Sequence, residues 1–301
     1  MTLATGLEGL SALRPLLGEV GDAKRVRVAA APGSLAEQAF GRSWGRLVEG
    51  EEPEAVALSE TAAAVARARL AGIDADVLRE AGLSDREALD VLLRGFDEVG
   101  GALDAELADR LRGALPLVRT PAGSPALAAL LNRQPRAGAT CPGVPRIIVE
   151  PPESHGDHCL TVAVYGCLLS PLTGSDPGTP FLVGLAHHLH NVALPDAGFA
   201  GEVLLGDHLE RVMAVLEARE LAALPDPLAE RLRAVLPLRE DAGAPASQAF
   251  HAADVLDRVL QVHHHARAAA FTASQALDDL QLVHEGPVQS FHAAVLAAAG
   301  L

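Results

Sequence analysis

Apolar residues recur every three or four positions through most of the chain, which is the period of an amphipathic helix. In the first part of the chain the pattern is clearest in the segments 60–71, 85–99 and 105–115. Ser84 with Glu87 forms a capping-box signature, which predicts that the second of these helices begins at Asp85. The alternating run 25–28 is the one candidate strand here. We therefore predict a mostly helical N-terminal domain over residues 1–120.

Proline and glycine interrupt the helical pattern between residues 121 and 152, which predicts a linker between two domains. Within it, the apolar run 146–149 is either a short strand or an extended connector. After the linker, helical patterns return at about 157–169, 180–191, 201–221, 227–236 and 247–271. The prediction is an all-α fold, with a C-terminal helical domain over 153–301.

The composition is that of a soluble globular protein. The chain has 301 residues, of which 49% are hydrophobic and 21% are charged, and this length suffices for two domains. No apolar run approaches the length of a membrane span, so no membrane partner is expected. The first 21 residues lack the features of a signal peptide, and the three cysteines lack paired spacing. We therefore expect a cytoplasmic protein.

The charge pattern narrows the possible partners. A formal net charge of -15 disfavours a broad nucleic-acid-binding face, because the phosphate backbone is itself negative. Lys24 is the only lysine, so we expect no lysine to serve the C-terminal half. Arg42 and Arg46 lie one helical turn apart and could together bind an anion.

The histidines give the strongest chemical signal. None precedes His155, and three lie within residues 187–190. Imidazole is the commonest metal ligand in proteins. His158 lies upstream of this cluster, while His208 and Asp254 lie downstream on later predicted helices. Together these side chains outline a candidate metal site.

Helical geometry adds detail to this site. On one continuous helix, His187 and His188 would differ in direction by about 100°, and His190 would lie one turn from His187. Asp254 lies among apolar residues, where a carboxylate is costly to bury without a cation. Ligands from several helices are typical of metal sites in helical bundles.

The order of these residues resembles the HD-domain superfamily of metal-dependent phosphohydrolases, whose pattern is one His, an adjacent His-Asp pair and a final Asp. The likeness covers about residues 155–270, and the segments 185–196 and 252–257 are most similar to the HD-GYP branch. It implies an HD-like helical bundle in which the metal ligands are His158, His187, His188, His208 and Asp254.

The chain departs from the family pattern at three places. His188 stands at the aspartate position of the pair, and a neutral imidazole offers one lone pair, so one ion is expected. Asn191 stands where the branch has a lysine. The sequence Gly-Ala-Pro at 243–245 replaces the Gly-Tyr-Pro that names the branch.

The resemblance implies hydrolysis of a nucleotide-like or other small phosphate ester. A divalent Mn, Fe, Ni or Zn ion suits histidine-rich ligands and would polarise a phosphoryl oxygen. His190, or an unligated His208, could transfer protons. One alternative is a non-catalytic HD-fold sensing or scaffolding protein whose N-terminal domain binds a protein partner. A third reading is an HD-fold di-iron oxygenase. The oligomeric state stays open.

Overall fold

Helices make up nearly all the regular structure of the computed structural model, which confirms the predicted all-α class. The structure describes residues 9–148, 150–241, 243–270, 294, 296 and 297. Part of the predicted C-terminal domain, at 271–293 and 298–301, lies outside these residues. The helices are α1 (Leu10–Gly21), α2 (Leu35–Val48), α3 (Pro53–Arg67), α4 (Ala75–Glu80), α5 (Asp85–Val99), α6 (Ala105–Ala114), α7 (Ala126–Arg133), α8 (His155–Thr173), α9 (Gly178–Ala186), α10 (Gly198–Leu205), α11 (Leu209–Ala222), α12 (Asp226–Val235) and α13 (Pro245–Ala269).

Two short antiparallel hairpins accompany the helices. The strands are β1 (Arg27–Val28), β2 (Ala31–Ser34), β3 (Ala139–Cys141) and β4 (Val144–Ile147), with β1 paired to β2 and β3 to β4. The candidate strand at 25–28 is confirmed in its second half. The first two residues of the undecided run 146–149 form the end of β4.

Local sequence signals predicted some helix ends correctly and others incorrectly. Helix α5 begins at Asp85, and Ser84 and Glu87 form the predicted capping box. Helix α3 begins earlier than predicted, at Pro53, because proline fits the first turn of a helix. The predicted helix 201–221 is two helices, since the backbone at Gly206, with φ 51° and ψ -133°, ends α10.

The long helix α8 lies at the centre of the packing. Every residue from His155 to Ser170 is buried, so this part of the helix has no solvent-exposed face and needs neighbours on all sides. Helices α2, α3, α7 and α9 pack against it. Helix α9 comes close because Gly184 has no side chain, and a Cβ there would lie 2.6 Å from the Cα of Ala163.

One hydrophobic core runs through both segments for which the sequence predicts separate domains. Phe40 and Trp44 of α2 are fully buried in the same core as Phe181 of α9. Residues Met1–Leu260 form one compact unit, and Gln261–Leu301 form a second. Within the described part of the chain, the proline-rich segment 121–152 therefore does not separate two cores.

The two buried cysteines are packing residues. Cys159 and Cys167 lie in the core, and burial raises the pKa of the Cys167 thiol to about 12. A thiol with a raised pKa is a poor nucleophile near neutral pH. Among the described residues, none of the helices is both long enough and apolar enough to span a membrane.

A buried carboxylate holds the two arginines that the sequence suggested as an anion site. The Arg42 guanidinium donates to both carboxylate oxygens of Glu60, and Nη1 of Arg46 donates to Oε1 at 2.8 Å. Glu60 and Arg46 are almost completely buried. The anion that Arg42 and Arg46 bind is therefore internal, and it joins α2 to α3.

Removing this carboxylate should destabilise the fold strongly. The substitution Glu60→Ala leaves two largely buried guanidinium groups without their shared partner, so we expect a loss of about 3–5 kcal/mol in the free energy of unfolding. In the exposed pair of Glu52 with Arg231, the substitution Glu52→Ala is a matched control and should cost below about 1 kcal/mol. Urea unfolding measures both, and equal losses would contradict this account.

Candidate metal centre

The start of helix α8 and a hydrogen bond from the ring together fix the position of His158. The helix begins with a capping box in which Ser154 accepts from the backbone N–H of Asp157 and Asp157 accepts in return. One turn after Ser154, the Nδ1–H of His158 donates to Oδ2 of Asp257 on α13, at 2.7 Å. The ring is completely buried. Because Nδ1 carries the proton, the Nε2 lone pair faces the interior of the site.

The predicted helix over 180–191 ends earlier, at Ala186, so the prediction of a continuous helix through the histidine cluster is wrong. His187 is the last residue with helical backbone angles, and His188 leaves them with φ -111° and ψ 24°. A short 3-10 turn follows over Leu189–Val192. The chain bends because the Nδ1–H of His188 donates to the Oδ1 of Asn191 at 2.8 Å, a side-chain bond that competes with the helix.

This bend brings neighbouring rings together instead of spreading them around a helix. The ring centroids of His187 and His188 are 4.2 Å apart, and those of His158 and His187 are 5.1 Å apart. The side chains of His158, His187 and His188 form one converging group of potential metal ligands. The structure thus brings together three of the predicted site residues.

Two imidazole nitrogen atoms face each other in this group. The Nδ1–H of His187 donates to the carbonyl oxygen of Gly184 at 2.7 Å, so its Nε2 also carries a lone pair. The Nε2 atoms of His158 and His187 are 3.1 Å apart. Two lone pairs at that distance repel each other, so a proton or a metal ion must lie between them.

Asp254 adds an oxygen to the same place. Its Oδ1 lies 3.4 Å from Nε2 of His158, and its Oδ2 accepts from Arg258 at 2.7 Å. Partial burial alone would raise the pKa of Asp254, but a positive charge shared by the His158–His187 pair and the guanidinium of Arg258 hold that pKa well below its usual range. The carboxylate is therefore ionised and offers an oxygen next to Nε2 of His158, although Asp254 belongs to neither group of converging ligands among the described residues.

His188 differs from the other two histidines because both of its ring nitrogen atoms already have partners. Its Nε2 accepts a hydrogen bond from Nη1 of Arg136 at 2.8 Å, while its Nδ1–H is held by Asn191. A metal ion at Nε2 would have to displace Arg136. Burial lowers the pKa of His188 well below its ordinary value, so the ring is neutral.

The remaining predicted histidines lie in different environments. His190 is buried, its ring centroid is 5.6 Å from that of His188, and its Nδ1 has no hydrogen-bond partner within the described residues. Burial lowers the pKa of His190 to about 4. His208 is exposed and belongs to neither group of converging ligands in the part of the chain that the structure describes. The structure does not bring His208 to the site.

The expectation that no lysine serves the C-terminal half is wrong. The Nζ of Lys24 is buried and hydrogen-bonds to the carboxylates of Glu153 and Asp257. Burial alone would lower the pKa of Lys24, but the two carboxylates raise it, so the side chain stays an ammonium. No spacing in the sequence signals this pairing, because it is made between residues more than a hundred positions apart.

Lys24 completes a second charged group next to the first. Glu153, His158 and Asp257 also converge closely enough to hold a cation. In this group the Lys24 ammonium already contacts both carboxylates. The positive charge that two buried carboxylates require is therefore supplied by the protein itself.

His155 and Asp196 line the other side of the histidine cluster. The His155 ring is 4.9 Å from that of His188, its Nδ1–H donates to the carbonyl of Gln134, and its Nε2 is 3.7 Å from Oδ2 of Asp196. Asp196 accepts from the backbone N–H of Ala137 at 2.9 Å. No spacing in the sequence links His155 with the site, since these contacts come from distant segments.

Comparison of the chain with protein-family models, with curated proteins and with solved structures found no match. The likeness to the HD-domain superfamily therefore stays a prediction. The functional argument depends on the geometry of the buried histidines and carboxylates.

A double-mutant cycle tests the Lys24 cluster. The substitution Lys24→Met leaves the buried carboxylates without their cation and should cost about 3–5 kcal/mol in the free energy of unfolding. The change Glu153→Gln should then cost less in the Lys24→Met background than in the natural protein, with a coupling of about 0.5–3 kcal/mol. Urea unfolding of the four proteins gives the coupling. Additive effects would show that the two side chains do not interact.

Burial of His155 should make the protein less stable in acid. Burial lowers the pKa of His155 from 6.5 to about 4, so between these values the unfolded chain binds the proton more readily. This part of the stability is present above about pH 6.5 and is lost as the pH falls, at roughly 1.4 kcal/mol per pH unit. The change His155→Asn should flatten the pH dependence of urea unfolding. The exposed His263 is a control, and an unchanged slope in His155→Asn would contradict the assignment.

Proposed function

We propose that this protein is a metal-dependent phosphohydrolase whose single ion is held by His158, His187 and Asp254. The observation that supports this most is the 3.1 Å contact between two Nε2 atoms whose Nδ1 atoms are both committed to other acceptors. A shared cation removes the repulsion between the lone pairs, and Asp254 supplies negative charge beside it.

The donor set fits a divalent first-row transition metal. Two imidazole nitrogen atoms and one carboxylate suit Mn, Fe, Ni or Zn better than Mg, which prefers oxygen. Three protein ligands are typical of catalytic sites, since they leave coordination positions for water and substrate. When bound, such an ion would supply Lewis-acid activation of a phosphoryl oxygen and of water.

The residues behind the ligands support a built site. Asp257 accepts the Nδ1–H of His158, which fixes the ring and increases the basicity of its other nitrogen. The Lys24 ammonium in turn fixes Asp257. The backbone carbonyl of Gly184 accepts the Nδ1–H of His187 and orients that ring in the same way. Both imidazoles are thus oriented by groups that do not take part in the chemistry.

Arg136 favours a phosphate-containing substrate. Its guanidinium donates to His188 beside the proposed ligands, and its other neighbours, Glu153 and Asp196, are 4.0 and 3.8 Å away. Guanidinium groups bind phosphate oxygens through paired hydrogen bonds. An entering phosphate ester could therefore replace His188 as the hydrogen-bond acceptor of Arg136. His190 is the candidate to accept a proton because its Nδ1 has no hydrogen-bond partner within the described residues, although its lowered pKa makes it a weak base.

The Lys24 cluster supports one ion rather than two. A second cation would need the carboxylates of Glu153 and Asp257, and the Lys24 ammonium already occupies both. This argues against a di-iron oxygenase. It agrees with the prediction of one ion that followed from the single lone pair of His188.

One observation favours a non-catalytic sensing or scaffolding protein as the second candidate. A proton between the Nε2 atoms of His158 and His187 would also relieve their repulsion, and Arg136 already satisfies His188. In that case the cluster is a buried polar network that stabilises the packing of α8, α9 and α13. Partner binding through the N-terminal helices then remains the expected role.

Metal analysis separates the two candidates. After supplementation with Mn, Fe, Ni or Zn, the protein should retain about one equivalent, and the double variant His187→Ala with Asp254→Ala should retain below roughly a tenth. The same variant should lose hydrolysis of bis(4-nitrophenyl) phosphate by more than about a hundredfold. The variant His263→Ala serves as the control, because this histidine is exposed.

Either of two results would contradict the proposal. The natural protein holding below roughly a tenth of an equivalent after supplementation would leave the proton as the only bridge. Full metal retention without hydrolysis of phosphate mono- or diesters would favour the sensing role, in which the substitutions change only stability.

A further inference from the structure

A cleft of about 730 Å³ lies on the N-terminal helices, away from every residue of the proposed metal site. Its walls come from α3, α4 and α5 and from the stretch 115–120. Five arginines and three aspartates contribute to the lining. This volume is typical of pockets that bind small organic molecules.

Arg67 is the unusual charge in this cleft. Its side chain is only 14% exposed, and its Nε donates to the carbonyl of Ala71 at 3.1 Å. The nearest carboxylate oxygen, on Asp74, is 3.9 Å from Nη1, beyond hydrogen-bond distance. Within the described residues, neither terminal nitrogen of Arg67 makes a hydrogen bond. Burial lowers the pKa of Arg67, and the adjacent Arg42 lowers it further.

Most of the other arginines of the cleft are already paired. Arg42 is neutralised by Glu60, and Arg119 donates to Glu49. Arg79 donates to two aspartates on the rim, Asp76 and Asp85. A buried guanidinium is costly unless a carboxylate or phosphate compensates it. Arg67 therefore lacks the close carboxylate partner that Arg42, Arg79 and Arg119 have.

The cleft also has an apolar part to its lining. Leu89 and Leu92 of α5 and the residues Leu115 and Val118 line the same cleft. Leu92 and Leu115 are buried, while Leu89 and Val118 are half-buried. A ligand that meets both surfaces must combine an anionic group with a hydrophobic body.

We propose that this cleft binds a small organic anion, whose carboxylate or phosphate group pairs with the guanidinium of Arg67 and whose apolar body packs on Leu89 and Leu115. The planar fork of an arginine matches either oxyanion with two parallel hydrogen bonds. An entering anion displaces only the long ion pair with Asp74, whose 3.9 Å separation is beyond hydrogen-bond distance. The proposal does not depend on the metal centre.

Two fluorescent probes test the charge requirement. 8-Anilinonaphthalene-1-sulfonate carries an anionic group on an aromatic body, and N-phenyl-1-naphthylamine is its neutral counterpart. The variant Arg67→Met keeps an unbranched side chain as far as the position of Nε and removes the charge, so it should bind the sulfonate at least roughly tenfold more weakly and bind the neutral probe within about twofold. Arg67→Lys keeps a charge and should lose less affinity than Arg67→Met.

Arg94→Met is the matched control, since Arg94 is an exposed arginine on α5 that does not line the cleft. It should leave the affinity for both probes unchanged. Circular dichroism confirms that each variant is folded, and Arg67→Lys carries the test if Arg67→Met does not fold. In that case the proposal requires the sulfonate affinity of Arg67→Lys to fall by more than that of Arg94→Met.

Competition identifies the anionic group. Displacement of the sulfonate by 1-naphthyl phosphate assigns the cleft to phosphate esters, and displacement by 1-naphthoate assigns it to carboxylates. Displacement by neither compound overturns the proposal. Equal affinity of the natural protein and Arg67→Met for the sulfonate, or no saturable binding to the natural protein, overturns it as well.

Discussion

The contact between the Nε2 atoms of His158 and His187 is the interaction on which the structure of the site depends. Each ring is held from behind by an acceptor at Nδ1, a carboxylate for His158 and a backbone carbonyl for His187. Neither ring can rotate away without leaving that acceptor unpaired in a buried place, which is costly. The 3.1 Å approach is therefore imposed by the fold, and the fold requires a positive charge there.

The packing of α8 against α9 produces this approach. Gly184 allows the two helix backbones to come close, and its carbonyl is the same group that orients His187. The end of α9 at Ala186 then places two consecutive imidazoles on the same side of the chain. One glycine and one helix end thus set both the distance between the helices and the direction of the ligands.

Charge compensation extends from the site into the N-terminal half. Asp257 holds His158, Lys24 holds Asp257, and Glu153 balances Lys24. Buried ions are tolerated only when each is paired and hydrogen-bonded. This chain of contacts, together with the shared hydrophobic core, makes the N-terminal helices part of the structure that supports the site.

The sequence predicted the all-α class and the convergence of His158, His187 and His188, because helical periodicity and histidine spacing are local signals. It did not predict the end of α9 at Ala186, since no glycine or proline marks that position and a side-chain bond from His188 to Asn191 shapes the turn. Lys24 was missed because its partners are distant in the chain.

The shared core was missed for a different reason. Proline and glycine at 121–152 are typical of a linker, yet α8 has no solvent-exposed face from His155 to Ser170 and packs against α2 and α3. The available signal was the apolar run 162–169, which covers more than two turns of α8, since such a stretch of helix must be buried on all sides.

The most direct measurement is a crystal structure of the protein grown with Mn or Zn, with anomalous scattering recorded at the absorption edge of the metal. The account predicts one anomalous peak within about 2.0–2.3 Å of Nε2 of His158, Nε2 of His187 and a carboxylate oxygen of Asp254. Two facing imidazoles with no peak between them would contradict it and would assign the bridge to a proton.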